Sequence, residues 1–321
     1  MIIQDLPWLE PQKALLRSAW QANRLAPALL IHEARGAGGD VLALWSAQFV
    51  LCTERARAPC GVCVACQRVA SVQHPDLTVL QPLEESKQIR IEQVRELGAE
   101  LALTSHQGGY KVAIVAPADA LNRAAANAFL KTLEEPTPST LLILVATQPS
   151  RLPATVLSRC QRLVIPVPAR VAAVAWLESL RGEADWSFAL DTLGDAPLLA
   201  AQSDPKMLLE FSRETHRALE EALGGHTDPV ATAERWARTD LALRLLCIEN
   251  WLTDRIRGHF TAAHFSVEVN AQVHLQRGAR VPSICRLFNL TDAVQELKAA
   301  LDVPINRALA LESLLRQLAA G

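Results

Sequence analysis

Residues 28–51 read ALLIHEARGAGGDVLALWSAQFVL. The apolar run at 28–31 predicts a buried parallel strand, and the apolar run at 41–51 predicts a helix that is buried on most sides. Between them, residues 33–40 (EARGAGGD) occupy the place of a phosphate-binding loop, whose pattern is G-x-x-x-x-G-K-[ST]. A strand, a glycine loop and a helix in this order indicate a parallel α/β sheet with a loop shaped for phosphate.

The loop lacks the two side chains that bind nucleotide in a working phosphate loop. Gly36 and Gly38 keep the glycines of a tight turn, but Gly39 and Asp40 stand where the pattern has lysine and serine or threonine. In a working loop the lysine neutralises the β- and γ-phosphates, and the hydroxyl group binds Mg²⁺. The Asp40 carboxylate adds repulsion instead, so the sequence predicts no productive ATP binding at Gly36, Gly38, Gly39 and Asp40.

A second part of the nucleotide site is also altered. The apolar run at 111–115 predicts a strand, and ATPases of this kind carry an acidic pair at its end. Here Ala116 and Pro117 follow, and Asp119 is interpreted as a carboxylate near the start of the next helix. The two changes together predict that the chain does not hydrolyse ATP. An alternative is an active ATPase with an atypical loop, in which Lys111 or Lys131 reaches the phosphates.

The rest of the chain is predicted to be α/β as far as residue 167 and helical beyond it. Further strands are expected at 76–80, 141–146 and 163–167, and helices at 11–25, at 88–103 and after a capping Asn122. Beyond Pro166-Val167-Pro168, residues 169–205 predict a small helical unit that precedes longer helices. These longer helices are expected at 208–224, 240–258, 283–300 and 305–319.

Composition narrows the class of protein. Half of the 321 residues are apolar and the net charge is −2, which argues against a strongly basic nucleic-acid binder. No apolar run approaches the ~20 residues that a bilayer requires. The start MIIQDLPWLE lacks the basic and apolar regions of a secretory signal. The sequence therefore predicts a soluble, cytoplasmic protein without a membrane partner.

Four cysteines form a cluster with the spacing of a metal site. Cys60, Cys63 and Cys66 are separated by two residues each, and Cys52 lies eight positions upstream. Four thiolates suit tetrahedral Zn²⁺, and a complete set of protein ligands indicates a structural site. Unliganded thiols and an iron–sulfur cluster remain alternatives. The ferredoxin pattern, however, continues with cysteine and proline where this chain has Ala70 and Ser71.

The other three cysteines are isolated in the sequence. They are predicted to be buried structural thiols, at Cys160, Cys247 and Cys285.

Residues 147–160 read TQPSRLPATVLSRC and end in Ser158-Arg159-Cys160. An arginine beside a nucleotide site can act in trans by stabilising charge on the γ-phosphate that a neighbouring subunit holds. A surface or salt-bridged arginine is the commoner outcome for such a residue when it is considered alone.

Several segments together resemble one family, the clamp-loader AAA+ ATPases of bacterial DNA polymerase III. They are AAANAFLKTLEEP (124–136), LPATVLSRC (152–160), HPD (74–76), VPINRALALESLL (303–315), the altered loop and the cysteine cluster. The resemblance implies a RecA-like AAA+ domain over 1–167 with a zinc module at 52–66. It further implies a small helical lid at 168–206 and a helical collar for oligomerisation at 207–321.

The resemblance also implies a function. The chain would be a non-hydrolysing stator subunit of a pentameric clamp loader, without a catalytic site of its own, within a DNA-directed DNA polymerase holoenzyme. Its partners would be the gamma/tau and delta subunits and, within the complex, the sliding clamp and primer–template DNA. The alternative in this family is an active gamma/tau-like subunit with an atypical loop. Outside the family, a zinc-dependent DNA-binding module on an inert scaffold is a third hypothesis.

The resemblance assigns roles to single residues as well. Arg159 would be the arginine finger that reaches the ATP site of a neighbouring subunit. Thr147 falls near the position where active relatives sense the γ-phosphate. Asn122, Arg123 and Lys131 are candidates for DNA phosphate contacts, with a solvated helix face as the alternative. No arginine occurs between Arg181 and Arg213, where active relatives carry a phosphate-sensing arginine.

Overall fold

Five parallel strands form the sheet of the computed structural model. They are β1 (Ala28–Glu33), β2 (Leu77–Leu80), β3 (Lys111–Val115), β4 (Thr140–Ala146) and β5 (Gln161–Ile165). Their order is β2-β3-β4-β1-β5, and every neighbouring pair runs parallel. The predicted α/β sheet is confirmed. β1 lies between β4 and β5. The loop that follows β1 therefore lies at the carboxyl ends of the strands, where parallel α/β folds bind ligands.

The structure describes residues 5–83, 86–106, 108–265, 283–302 and 306–319. Its contacts group the chain into two compact units, one of residues 1–180 with 196–198 and one of residues 181–195 with 199–321. The expectations for 266–282, 303–305 and 320–321 of the collar region lie outside the described residues, as do those for 1–4, 84–85 and 107. The three-part division into sheet domain, lid and collar stays a prediction.

Seven helices accompany the sheet along the described part of the chain to residue 181. α2 is apolar on all sides and almost wholly buried, whereas α4 buries a single stripe of Val94, Leu97 and Leu101. Asn122 caps α5, because its Oδ1 accepts the N–H of Ala125 at 2.8 Å, as predicted. The helices are α1 (Glu10–Gln21), α2 (Gly39–Leu51), α3 (Val64–Ala70), α4 (Ile91–Ala102), α5 (Arg123–Glu134), α6 (Ala154–Leu157) and α7 (Arg170–Arg181).

The core of the sheet unit joins the inner strands to α4 and α5. Leu30 of β1, Leu142 and Leu144 of β4 and Phe129 of α5 belong to one buried cluster. Burying a side chain of this size stabilises the fold by about 1.5–3 kcal/mol. The loop and the turn at Arg159 are therefore attached to a rigid, well-packed support.

Beyond residue 181, the described residues form helices and the turns that connect them. Its core surrounds Trp236, with Leu245, Leu287 and Leu311. One helix, at 229–237, was not predicted, although Asp228 caps it and Pro229 opens it. The helices are α8 (Trp186–Leu193), α9 (Pro197–Gln202), α10 (Pro205–Leu223), α11 (Pro229–Ala237), α12 (Leu241–Phe265), α13 (Ile284–Ala299) and α14 (Arg307–Ala319).

Candidate functional site

The loop between β1 and α2 makes the tight turn that its glycines predict. Gly36 has φ +66° and Gly38 has φ +101°, both in the left-handed region that glycine tolerates best. Gly38 is the N-cap of α2. The first backbone N–H groups of α2 have no acceptor within the helix, so they are available to an anion.

An acidic side chain of the chain itself occupies these donors. Glu33 is the last residue of β1, and its Oε2 accepts the N–H of Gly38 at 3.0 Å and that of Gly39 at 2.6 Å. Burial raises the pKa of the Glu33 carboxyl group, and the charge of Asp40 raises it further, against the lowering effect of the hydrogen bond from Gly39. The loop therefore holds a carboxylate where a phosphate-binding loop holds phosphate.

The outer side of the loop is covered by apolar and aromatic groups. Trp8 donates its Nε1–H to the carbonyl of Ala37 at 2.7 Å, and Leu198 donates its N–H to the carbonyl of Gly36 at 3.2 Å. Leu6 is fully buried, and a Cβ added at Gly38 would lie 2.4 Å from its Cδ1. The loop is thus closed by protein atoms on this side as well.

Asp119 connects the ends of two strands. It lies in a short 3₁₀ turn after β3, and its Oδ2 accepts the hydroxyl of Thr147 at 3.2 Å and the N–H of Gln148 at 2.8 Å. The hydroxyl of Thr147 is therefore hydrogen-bonded to Asp119 within the chain. Ala116 and Pro117, which precede Asp119, offer neither a metal ligand nor a proton acceptor.

The two lysines that an atypical ATPase would need lie elsewhere. Lys111 is the first residue of β3, so it lies at the amino end of the strand, whereas the loop follows the carboxyl end of β1. Its Nζ donates to the carbonyl of Glu100. Lys131 is exposed on α5 and lines a groove between α4 and α5. Neither residue supplies the cation that the loop itself lacks.

The four clustered cysteines come together as the spacing predicts. Their Sγ atoms all lie within 4.8 Å of one another, with 3.9 Å between Cys52 and Cys63 and 4.0 Å between Cys60 and Cys66. Four sulfurs at about 2.3 Å from a tetrahedral metal would be about 3.8 Å apart. The set could therefore hold a metal ion.

The surrounding backbone stabilises thiolate ligands. The N–H groups of Cys63 and Cys66 donate to the Sγ atoms of Cys60 and Cys63 at 3.3 and 3.4 Å. Burial raises the pKa of Cys63, but hydrogen bonds from Thr53 and from the Cys66 N–H outweigh it and lower the pKa to about 6. Gly61 lies between these ligands with φ +74°, in the left-handed region that glycine tolerates best. Metals bind the thiolate form, so the lowered pKa of Cys63 favours binding, whereas burial raises the pKa of Cys52 and of Cys66.

The isolated cysteines divide into two groups. Cys160 and Cys247 are buried as predicted, but Cys285 is exposed, so that prediction was wrong. Cys285 lies at the start of α13, whose buried stripe begins at Leu287 and continues through Leu290. Periodicity turns Cys285 away from that stripe.

Arg159 lies on the turn between α6 and β5. One of its guanidinium nitrogens, Nη2, is 2.6 Å from Oε1 of Glu134, and the other, Nη1, donates to the carbonyl of Thr155 at 2.9 Å. The Arg159 side chain is 36% exposed, while Cys160 next to it is buried in the core of the sheet. The buried cysteine anchors the turn and leaves the arginine at the surface.

The three candidates for DNA contacts lie at the start of α5 or on it. Asn122 uses its side-chain oxygen as the cap of α5. Arg123 and Lys131 are exposed on the same helix, which agrees with a solvated face. Among the described residues, no helix combines the length and apolar character needed to cross a membrane.

Sequence reasoning missed two residues that belong to these sites. Glu33 stands at the position where the pattern G-x-x-x-x-G-K-[ST] has its first glycine, and that substitution was a readable signal. Glu134, the partner of Arg159, lies within the segment AAANAFLKTLEEP, but the sequence gives no sign of this pairing.

The sheet order, the glycine loop after β1 and the helices that flank the sheet define an α/β protein with a five-stranded parallel sheet. A gamma subunit-related protein of DNA polymerase III from Thermotoga maritima has a similar structure, with a TM-score of 0.50 over 95% of this chain and 98% of that chain. The two sequences are 16% identical, so this similarity concerns the fold.

Sequence comparisons define the family. The family model described as DNA polymerase III, delta subunit, matches residues 9–169, and the model of its C-terminal region matches residues 212–320. DNA polymerase III subunit delta' of Pseudomonas aeruginosa is 35% identical over 79% of this chain and 78% of its own length. The corresponding subunit of Yersinia pestis is 30% identical over 95% and 92%. The chain belongs to the delta-prime family of DNA polymerase III subunits.

A more distant relative belongs to another branch. DNA polymerase III subunit tau of Escherichia coli is 32% identical over 45% of this chain and 22% of its own length.

Proposed function

We propose that the chain is a non-hydrolysing subunit of the DNA polymerase III clamp loader, which helps to place the sliding clamp on primed DNA. Its similarity to delta' subunits over most of its length supports this role. The partners are the gamma/tau and delta subunits, together with the clamp and the DNA within the complex. The helices of 168–206 supply the lid, and the described helices of 207–321 supply the collar.

The chain binds no productive ATP of its own in this proposal. Gly39 and Asp40 replace the lysine and the hydroxyl group, and Glu33 accepts the hydrogen bonds of the loop amides. An active gamma/tau-like subunit would need a cation at the loop. Lys111 lies at the amino end of β3, away from the loop. Lys131 lines the groove between α4 and α5.

Arg159 acts on a neighbouring ATP site, and its exposed guanidinium on an anchored turn carries this part of the proposal. Its ion pair with Glu134 is half-exposed, and such pairs stabilise a protein by about 0–1 kcal/mol. A γ-phosphate in a protein interface can therefore replace Glu134. An arginine that stabilises the transition state in trans contributes about 10³–10⁵ to the rate.

The four-cysteine module holds Zn²⁺ in a structural role. Four protein ligands complete a tetrahedral shell and leave no position for substrate. The metal would hold the segment between α2 and α3, which has little regular structure beyond one short turn at Arg55–Arg57.

The proposal is tested with a clamp loader reconstituted from wild-type chain, Arg159→Ala or Arg151→Ala. Arg151 is an exposed arginine on the preceding turn and serves as the matched control. We expect Arg159→Ala to lower clamp- and DNA-stimulated ATP hydrolysis by more than about tenfold, with the ring intact by gel filtration. Arg151→Ala should behave as wild type.

Two results would contradict the proposal. Unchanged hydrolysis with Arg159→Ala would make this arginine structural and the chain a scaffold. Failure of the wild-type chain to enter a ring with gamma/tau and delta subunits would remove the clamp-loader role itself.

A further inference from the structure

We infer that Glu33 is an internal substitute for phosphate: its carboxylate occupies the anion site of the loop and excludes nucleotide from it. This role is a third obstacle to nucleotide, separate from the missing lysine and the missing hydroxyl group. It depends neither on the partners of the chain nor on Arg159.

The hydrogen bonds place the carboxylate on the donors that a phosphate needs. Oε2 of Glu33 accepts from two successive N–H groups at the start of α2, those of Gly38 and Gly39. The positive end of the helix dipole is directed at the same point. A donor already bonded at 2.6 Å is not free for a phosphate oxygen, so an incoming anion must first displace Glu33.

Steric contact couples Glu33 to the residue at position 39. A Cβ added at Gly39 would lie 2.7 Å from Cδ and 2.8 Å from Oε1 of Glu33, and 2.7 Å from Cγ1 of Val145. A side chain at this position, including the lysine of a working loop, would require the Glu33 carboxyl group and Val145 to shift. Glycine at position 39 therefore leaves room for Glu33 in the conformation that accepts the loop N–H groups.

The surrounding charges do not provide the attraction that holds the carboxylate. Asp40 and Asp119 both raise the pKa of Glu33, after the larger effect of burial. The two loop N–H groups act in the opposite direction, because they donate to the charged form. Glu33 is held by the same backbone donors that would otherwise hold a phosphate.

The test follows the loop amides directly in the full chain. The sequence has 14 glycines, so a chain labelled with ¹⁵N-glycine gives a short amide spectrum in which Gly38 and Gly39 can be assigned. The spectra of wild type, Glu33→Ala and Glu96→Ala are recorded with and without millimolar inorganic tripolyphosphate. Glu96→Ala is the matched control, because Glu96 is an exposed glutamate on α4 that accepts neither loop N–H.

We expect the Gly38 and Gly39 amide proton signals of Glu33→Ala to move upfield, since the short charge-assisted bonds are lost. Tripolyphosphate should move them downfield again in Glu33→Ala, and it should leave wild type and Glu96→Ala unchanged. The remaining glycine signals report that each variant is folded.

Three outcomes would overturn the inference. Unchanged signals in Glu33→Ala would mean that the carboxylate is not bonded to the loop. An equal response of wild type to tripolyphosphate would mean that Glu33 does not exclude anions. A folded Glu33→Ala chain that ignores tripolyphosphate would mean that another feature closes the site.

Discussion

The glycine loop and the Arg159 turn belong to the same sheet unit, but the loop partly buries its charged group and the turn leaves its charged group at the surface. In the loop, the Glu33 carboxylate turns inward and accepts two backbone N–H groups under a cover of Leu6 and Trp8. On the turn, the Arg159 guanidinium stays at the surface and is paired with the more exposed Glu134. Both charged groups have partners within the chain, but the pair that Arg159 makes lies at the surface.

The energies of these contacts differ accordingly. A hydrogen bond to a charged group contributes about 1.5–3 kcal/mol, and Glu33 makes two in a partly buried loop. An exposed ion pair such as Arg159–Glu134 contributes about 0–1 kcal/mol. A partner's phosphate can thus displace Glu134 easily, whereas a free nucleotide competes poorly with Glu33. In the proposed function, the loss of nucleotide binding and the retention of an arginine for a partner are therefore separate properties of the same sheet unit.

The largest effect that sharpens this comparison concerns the cysteine module. The loop lies at the start of α2, and the module begins at the other end of this helix, with Cys52. We expect wild type and the matched control Cys285→Ser to contain about one zinc ion per chain and Cys63→Ser to lose it, since three thiolates leave the shell incomplete. Cys63→Ser should also unfold at a lower temperature. Elemental analysis and thermal unfolding measure both effects.

The loop should survive this loss, because Glu33 and Gly39 lie at the opposite end of the helix. Full zinc content in Cys63→Ser would contradict the assignment of the four-cysteine set as the metal site. Altered Gly38 and Gly39 amide signals would show instead that the loop depends on the module.

A smaller effect is expected from the partner of Arg159. In a reconstituted loader, Glu134→Gln should raise ATP turnover by up to about fivefold, because the guanidinium no longer has to leave a carboxylate. The neighbouring exposed Glu135→Gln is the matched control and should leave turnover unchanged. Steady-state hydrolysis at several ATP concentrations separates the effect on kcat from the effect on KM. A loss as large as that of Arg159→Ala would place Glu134 within the catalytic site and break the comparison.

The smallest effect concerns pH. Burial raises the pKa of Glu33 above that of an unfolded chain, so its neutral form favours folding and this contribution is lost as the pH rises through the folded pKa. The unfolding free energy of wild type should therefore fall, relative to Glu33→Gln, when the pH rises from below the ordinary glutamate pKa to neutrality. Urea unfolding at a series of pH values measures the difference. If the unfolding free energy of wild type instead rises relative to Glu33→Gln as the pH rises, the folded protein stabilises the charged form of Glu33, which contradicts a raised pKa.

Much of the sheet unit was predictable because its signals are local. The run at 111–115 matches β3, and the run at 141–146 differs from β4 by one residue, since both strands are almost wholly apolar. β5 begins at Gln161, two residues before the prediction, because Gln161 and Arg162 are exposed on an edge strand and carry no apolar signal. The cysteine cluster was predictable from its spacing alone.

The missed features depend on contacts that the sequence does not encode locally. The ion pair of Arg159 with Glu134 joins a turn to the last residue of α5, which lies 25 positions earlier in the sequence. Cys285 was expected to be buried because cysteine usually is, but its place on α13 faces away from the buried stripe. Glu33 differs from these two, because its replacement of the first loop glycine is visible in the sequence, whereas its hydrogen bonds to Gly38 and Gly39 are not.

The central claim is that this chain closes its own nucleotide site and completes a neighbour's site. Single-turnover release of the γ-phosphate, from loaders assembled with wild type or Arg159→Ala and preloaded with ATP, tests it most directly. We expect equal assembly and equal bound ATP, with release at one or more neighbouring sites slowed about 10³-fold or more by Arg159→Ala. Release at the wild-type rate from an intact, ATP-loaded ring would contradict the account.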